Sequence, residues 1–437
     1  MIFNKKKKNI REHLVLLRRI PAPPKGEWGG MERLMLDWLE RIDYESCHAT
    51  IAVSPGWGGR FHQETVARNL PVRVVEFPFS LEVGPGRRFV RIFLFLKRLR
   101  PTVTVFLQGW FWEFRLPDLI AANLLTGGRV FMHENLGADA PIPKTSRKYF
   151  GLIPGFALWW YHQIGMSSGR ALLTKKIITV SQGLKDRMVE LWKYPSNKIQ
   201  VIYHGVDTAR LSHSGELRER MRQEHGIKSE EKMIMMLCRL TKQKRVDRAL
   251  EAFAAISKES PQVRMTIIGG GPQEQELKRL AATYSLNGTV RFLGHVDHPK
   301  IYLTMSDIYL LTSDNEGLSL SLMEAMACGL ICVSTDCPGS GEAIENGVNG
   351  FLTEMSPSGV RAGLKKALTL TLEQRIQMGE LARKTALEKF EINQNIQRIF
   401  EVFGIPFDHK AFSNSFSQPA SQALIGSREF IEWLNKA

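Results

Sequence analysis

The chain has 437 residues, of which 43% are hydrophobic and 24% charged, a globular balance that excludes a largely disordered or fibrous protein. Its length exceeds what one hydrophobic core usually serves, so two domains with a cleft between them are expected. The formal charge is +15, and the first hundred residues hold 19 Lys and Arg against 10 Asp and Glu, an excess suited either to anionic partners such as phospholipid headgroups and polyphosphates or to a solvated basic face.

The chain starts MIFNKKKKNIREHLVLLRRI. Lys5 to Lys8 make it basic, but Arg18 and Arg19 cut the apolar stretch too short for a secretory leader, so none is expected. HLVLL reads as a first strand, and the pair Gly29 and Gly30 after it would let a loop pass close to a phosphate or a reacting sugar. A second basic stretch runs through Arg87, Arg88, Arg91, Lys97, Arg98 and Arg100. The apolar runs 89–96 and 150–166 fall short of the roughly 20 residues that span a bilayer, so any membrane contact would be at the surface.

Short β-branched runs, VTVFL (103–107), RVFMH (129–133), KIITVS (176–181) and IQVIYHG (199–205), alternate with segments of helical period, the rhythm of a parallel sheet. After a polar stretch from Asp207 to Lys232 the rhythm resumes with MIMML (233–237), VRMTIIG (263–269), VRFLG (290–294), IYLLTS (308–313) and LICVST (330–335). Helices are expected over 247–257, 273–284 and 318–327, and a last one near 388–403 ahead of a polar, serine-rich tail. The domains implied are 1–208, 209–387 and a C-terminal helix and tail over 388–437. Cys47, Cys238, Cys328, Cys332 and Cys337 are too few to staple such a chain, which suits the reducing cytoplasm; Cys328 and Cys332, in an apolar run without a nearby histidine, read as buried rather than metal-binding.

The most informative segment is 313–335, SDNEGLSLSLMEAMACGLICVST, where a strand ends, an acid and a glycine follow, and a helix begins. Ligands collect at such strand ends. A helix starting near Leu318 would aim free N–H groups and its positive dipole end at a phosphate, and Gly317 would let the backbone approach. Glu316 and Glu324 are eight positions apart, so one carboxylate could accept from the hexose and the other from the ribose of a single nucleotide sugar.

E-x7-E in EGLSLSLMEAMACG resembles the signature of glycosyltransferase family four. The likeness extends from about Gly29 to Phe403 through GGMER (29–33), ITVSQGLKDRM (178–188), YHGVD (203–207), RLTKQKRVD (239–247), IIGGGP (267–272) and GSGEAIENGVNGF (339–351). It implies the GT-B fold, two Rossmann-like α/β domains facing a central cleft with the C-terminal helix packed back on the N-terminal domain. It also implies retention of anomeric configuration without a metal or other cofactor. Carried onto this chain, it has Arg239 and Lys244 neutralise the donor diphosphate, Glu316 and Glu324 clamp the donor with Gly317, Leu318, Ser319 and Gly294, and Gly29 and Gly30 face the cleft. His133, with Glu134 and Asp139 nearby, falls where the family often has a histidine close to the transferred sugar. The departures are Cys238 and Arg245, where the family often has glycine, and Ile331, where it often has proline.

No carboxylate pair suited to double displacement is evident; the resemblance instead implies front-face departure and attack, with the leaving phosphate taking the acceptor proton. Asp314 with Glu316 only approximates a DxD metal motif and falls inside the donor segment. The function read from these residues is hexosyl transfer from a nucleotide-diphosphate sugar, UDP-sugar before GDP-mannose, to a glycan or lipid-linked acceptor in cell-surface polysaccharide or glycolipid synthesis. Trp110, Phe111, Trp112, Phe114, Trp159, Trp160 and Tyr161 are aromatic candidates for the acceptor side. A nucleotide-sugar epimerase, a basic peripheral membrane protein and a nucleic-acid binder are the rivals; no zinc-finger, RRM or helix-turn-helix pattern accompanies the charge, so no nucleic acid is expected.

Overall fold

A computed structural model describes residues 12–19, 29–77, 85–108, 114–135, 167–209, 211, 215–296 and 299–409. Lys5 to Lys8, Trp110 to Trp112, Asp139, Trp159 to Tyr161 and the serine-rich tail lie outside them. The chain forms two compact units, one holding the chain through Ile202 and again over Gln394–Phe412, the other holding Tyr203–Asn393.

Unit 1 is built on a seven-stranded parallel sheet in the order β3-β2-β1-β4-β5-β6-β7. Its strands are β1 (Glu12–Arg18), β2 (Cys47–Val53), β3 (Arg73–Glu76), β4 (Val103–Gln108), β5 (Val130–Glu134), β6 (Lys176–Thr179) and β7 (Ile199–Val201). Leu14 to Leu17 in β1 are completely buried, as a parallel strand covered on both faces requires. The helices are α1 (Gly30–Leu39), α2 (Gly58–Ala67), α3 (Pro85–Leu99), α4 (Leu116–Thr126), α5 (167–173) and α6 (Gln182–Glu190). Arg88 corrects the reading of the basic stretch on α3: it is fully buried, its Nε donating to Asp118 Oδ1 at 2.7 Å and its Nη2 to Oδ2. Sequence period alone did not separate it from its exposed neighbours Arg87 and Arg91.

Unit 2 has a six-stranded parallel sheet in the order β10-β9-β8-β11-β12-β13. The strands are β8 (Lys232–Leu237), β9 (Val263–Ile268), β10 (Val290–Gly294), β11 (Ile308–Leu311), β12 (Ile331–Thr335) and β13 (Phe351–Thr353). Its helices are α7 (Gly215–Glu224), α8 (Val246–Glu259), α9 (Glu274–Thr283), α10 (Pro299–Thr304), α11 (Leu320–Ala327), α12 (Pro338–Ala343), α13 (Pro357–Thr369) and α14 (Leu372–Lys389). The polar stretch 207–232 therefore contains a helix, α7. Its charge is structural: Arg218 donates to the carbonyls of Thr304 and Ser306, and both Arg218 and Arg222 pair with Asp307.

The single helix expected over 388–403 is two. α14 ends at Lys389 and α15 (Ile392–Phe403) starts afresh, because the intervening backbone pairs elsewhere. Val206 N–H donates to Phe390 O at 2.8 Å and Ile392 N–H to Val206 O at 3.2 Å. Gly205 permits this, since a Cβ there would collide with the Ile392 backbone. Beyond the break α15 packs on unit 1, with the Phe403 ring 5.0 Å from Phe131 and 5.8 Å from Trp38. The packing of the C-terminal helix against the first sheet agrees with the sequence reading.

His204, beside that staple, is 6% exposed, and burial pushes its pKa down to about 4. An unfolded histidine keeps the ordinary value near 6.5, so the unfolded chain binds more protons between those two pH values. The folded state should therefore lose stability as pH falls from about 6.5 to about 4, by roughly 3 kcal/mol from this residue. Unfolding curves across that window should converge on those of His204→Gln at high pH and diverge from them at low pH; parallel curves would remove the assignment.

Among the described residues no helix is long and apolar enough to cross a membrane. All five cysteines are free thiols. Burial raises the Cys328 thiol to about 12 and pushes Cys332 higher still.

Candidate active site

In unit 2 the chain steps from β8 outward through β9 and β10, then returns to the other side of β8 with β11, β12 and β13. The reversal lies between β8 and β11, where loops diverge and open α/β sheets bind ligands. The loop after β8 carries Arg239 and a single 3-10 turn, Lys242–Lys244. The loop after β11 carries Glu316. They meet there: Lys244 Nζ lies 2.5 Å from Glu316 Oε1, and Ser313 Oγ donates to the same oxygen at 2.5 Å.

Glu316 is only 6% exposed, so its charge is held by those two donors. The loops are also locked through backbone atoms, with Asp314 N–H donating to Gln243 O at 3.0 Å and Thr312 Oγ1 to Lys244 O at 3.0 Å. Gly339, in the first turn of α12, donates its N–H to Glu316 O at 3.2 Å, and a Cβ there would strike Gly317 O. The GSGEA segment thus closes behind Glu316. Arg239 is exposed and makes no ion pair among the described residues.

The helix after Glu316 begins at Leu320 rather than Leu318, with Ser319 as its N-cap, the hydroxyl accepting from Leu322 N–H at 3.4 Å. Hydroxyl capping sets the start, and the preceding Gly317 and Leu318 stay in the loop. Glu316 is therefore not the cap. Glu324 is 3% exposed, not solvated, and Lys300 Nζ on α10 sits 3.1 Å from its Oε1. Lys300 carried no signal in the sequence, because its partner lies 24 positions away on another element.

Arg245 shows why its position favours glycine: its φ is +48°, in the left-handed region. Its guanidinium is tied to Asp247 at 3.0 Å and to Asp314 at 3.3 Å. Arg248 also donates to Asp314, at 2.6 Å. Arg245 is thus a strut of the loop, and Asp314 is committed to two arginines. Ile331 N–H donates to Asp307 O at 3.3 Å, a bond that the family's proline would lack.

Gly269 and Gly271, within IIGGGP, have φ of +122° and +154°. A Cβ on either would collide with the carbonyl of Cys238 or Leu240, so these glycines let the loop after β9 zip onto the loop after β8. Gly294, at φ +68°, ends β10 at a register shift, and its carbonyl accepts from Gly269 N–H at 2.7 Å. It belongs to the same rim.

In unit 1 the reversal lies between β1 and β4. Gly29 and Gly30 open α1 there, and Gly29 N–H donates to Glu32 Oε2 at 3.0 Å. His133 is completely buried near the end of β5, edge-on to Trp38 at 5.0 Å. Asn135 joins these pieces, its Nδ2 lying 3.1 Å from His133 Nδ1 and 2.7 Å from Met31 Sδ. No sequence motif marks Asn135. Among the described residues no group of three or more His, Cys, Asp or Glu is gathered as a metal would need.

Residues 28–210 match the Glycosyltransferase Family 4 model and residues 218–385 the model of Glycosyl transferases group 1. N-acetyl-alpha-D-glucosaminyl L-malate synthase of Bacillus anthracis is 31% identical over 227 residues, covering 52% of this chain and 58% of that protein. The amylovoran biosynthesis glycosyltransferase AmsK of Erwinia amylovora is 33% identical over 217 residues, 46% of this chain and 49% of its own. The matched regions span about half the length of these curated relatives. Among solved structures, Anabaena Alr3699/HepE in complex with UDP and glucose aligns at a TM-score of 0.70 with 18% identity, over 90% of this chain and 100% of that one. WaaG, a glycosyltransferase involved in lipopolysaccharide biosynthesis, aligns at 0.65 with 15% identity, over 90% and 99%. These likenesses identify the paired parallel sheets as a GT-B fold. With family models matched across both units, and the E-x7-E glutamates buried at the switch point of the second, the chain belongs to the family 4, group 1 glycosyltransferases.

Proposed function

We propose that this protein transfers a hexosyl residue from a nucleotide-diphosphate sugar to a glycan or lipid-linked acceptor, with retention of configuration and without a metal ion. The observation that carries the reading is the Lys244–Glu316 pair at the β8/β11 reversal, with Arg239 exposed on the same loop. Two cations and the N–H groups at the start of α11 suit a diphosphate, whose growing charge as the sugar departs they would stabilise in place of a divalent ion. Glu316 receives hexose hydroxyls, Glu324 the ribose. The bond from the anomeric carbon to the phosphate oxygen breaks on the face that the acceptor hydroxyl attacks, and the leaving phosphate takes that hydroxyl's proton. His133, held by Asn135 and Trp38, serves the sugar end.

UDP is favoured as the carrier, ahead of GDP, because HepE was crystallised with UDP and glucose and a further relative, the GtfA subunit of Streptococcus pneumoniae, is named for UDP-N-acetylglucosamine. The names of AmsK and WaaG support a place in cell-surface polysaccharide or glycolipid assembly, and five free thiols suit the cytoplasm.

Thermal unfolding with UDP-, GDP- and ADP-sugars, each with and without EDTA, tests the donor. A UDP-sugar at a hundredfold excess over its Kd should stabilise the fold by about 2.7 kcal/mol, equally with EDTA present. Stabilisation by GDP-mannose alone would reassign the base, and loss of the effect in EDTA would overturn metal independence. An inverted product anomer, or a glycosyl adduct trapped on Glu134, would overturn the front-face mechanism.

A further inference from the structure

The connections β3 to β4, β4 to β5 and β5 to β6 all step in one direction across the sheet of unit 1. Right-handed crossovers therefore place α3, α4 and α5 in one layer on one side of it. The layer is continuous: Arg88 of α3 is clamped to Asp118 of α4, and Asn123 of α4 donates to Leu173 O at 2.8 Å. Its inner side is core, with Ile92 and Leu96 of α3, Leu119 of α4 and Ala171 of α5 buried.

Its outer side is unusual in two respects. Val90 and Leu94 on α3 are each 51% exposed, Ile120 and Leu124 on α4 are 38% and 65%, and Leu172 on α5 is 80%. Isolated exposed aliphatics are ordinary, but these form two i,i+4 pairs on adjacent helices with a fifth beside them. Arg87, Arg91, Lys97 and Arg98 are exposed on α3. At helical spacing they share with Val90 and Leu94 an arc of about a third of the circumference. Among the described residues of the three helices no exposed carboxylate balances them: α3 and α5 carry no acid there, and the one acid of α4, Asp118, is fully buried against Arg88. A merely solvated layer would mix both signs of charge, and a polyanion such as nucleic acid would leave the aliphatics in water.

We propose that the outer surface of the α3–α4–α5 layer docks onto an anionic lipid bilayer. Val90, Leu94 and Leu124 enter the boundary between headgroups and acyl chains, while the arginine and lysine stems rise along them to the lipid phosphates. The protein lies on the membrane through this face and does not span it.

Flotation of the full-length chain with vesicles of phosphatidylcholine alone, and with about a third phosphatidylglycerol, tests the assignment. Binding should require the anionic lipid and weaken with salt. Arg87→Gln and Arg91→Gln should each cut the partition coefficient about fivefold. Leu94→Ser with Leu124→Ser should lower it further while leaving the salt slope unchanged. These positions are exposed, so the melting temperature should stay put, and donor-induced stabilisation should be intact in every variant, which separates this face from the donor site. Equal binding to neutral vesicles would overturn the proposal. So would variants that bind like the parent, since the cations responsible would then lie elsewhere, and so would self-association or RNA binding that the same substitutions abolish in a chain that ignores vesicles.

Discussion

Glu316→Gln should lower kcat for sugar transfer by on the order of a hundred- to a thousandfold, the loss seen when one preorganised group at a developing charge is removed. The carboxylate has two donors on one oxygen, Lys244 Nζ and Ser313 Oγ, both at 2.5 Å. An amide presents no charge to the ammonium, so Lys244 loses its anchor as well as its counter-ion. Lys244→Met should cost a similar factor, because the diphosphate would lose a cation that stands at the mouth of the β8 loop. The double variant should be little worse than either single one, since both act through one arrangement. Rate measurements at saturating donor check this; turnover like the parent in either single variant would remove both residues from the machinery. Thermal unfolding without donor serves as the folding control.

Asp118→Ala should destabilise unit 1 by about 3–5 kcal/mol, the usual consequence of leaving a buried charge without its partner. Arg88 and Asp118 are both 0% exposed, so the guanidinium cannot turn to water when the carboxylate goes. Asp118 also accepts from Arg115 N–H at 2.8 Å at the start of α4, and loss of that cap adds on the order of 1 kcal/mol. Arg88→Met with Asp118→Leu should restore most of the stability, because a matched apolar pair removes the unpaired charge. Two units of this size need not unfold together, so hydrogen exchange in α3 and α4 is the appropriate readout. Protection there unchanged by Asp118→Ala would show that the pair carries no such burden.

The βα alternation, the reversal point and the E-x7-E segment were all legible along the chain. They rest on local quantities: strand runs are short and β-branched, helices repeat near 3.6 residues, and glycine and serine mark loop and cap. Elsewhere a distant partner decides the outcome. Arg88 has the spacing of the surface cations, and only Asp118, 30 positions on, takes it inside. The polar stretch around Arg218 and Arg222 conceals α7 because its arginines are satisfied by Asp307 and by carbonyls at and just after the end of α10. The break between α14 and α15 was invisible because Phe390 and Ile392 give their backbone bonds to Val206, far away in sequence.

By itself, then, the sequence determined the class of fold and which short segments carry the donor chemistry, since both follow from periodicity and from residues placed within one loop or helix start. Tertiary structure alone decided the partnerships: that Lys244 answers Glu316, that Lys300 answers Glu324, that Arg245 is a strut, and that the cations of α3 share an outer surface with the aliphatics of α4 and α5. Each of these joins residues from separate elements, and a chain specifies such meetings only through the packing of whole sheets and helices, which no local pattern encodes.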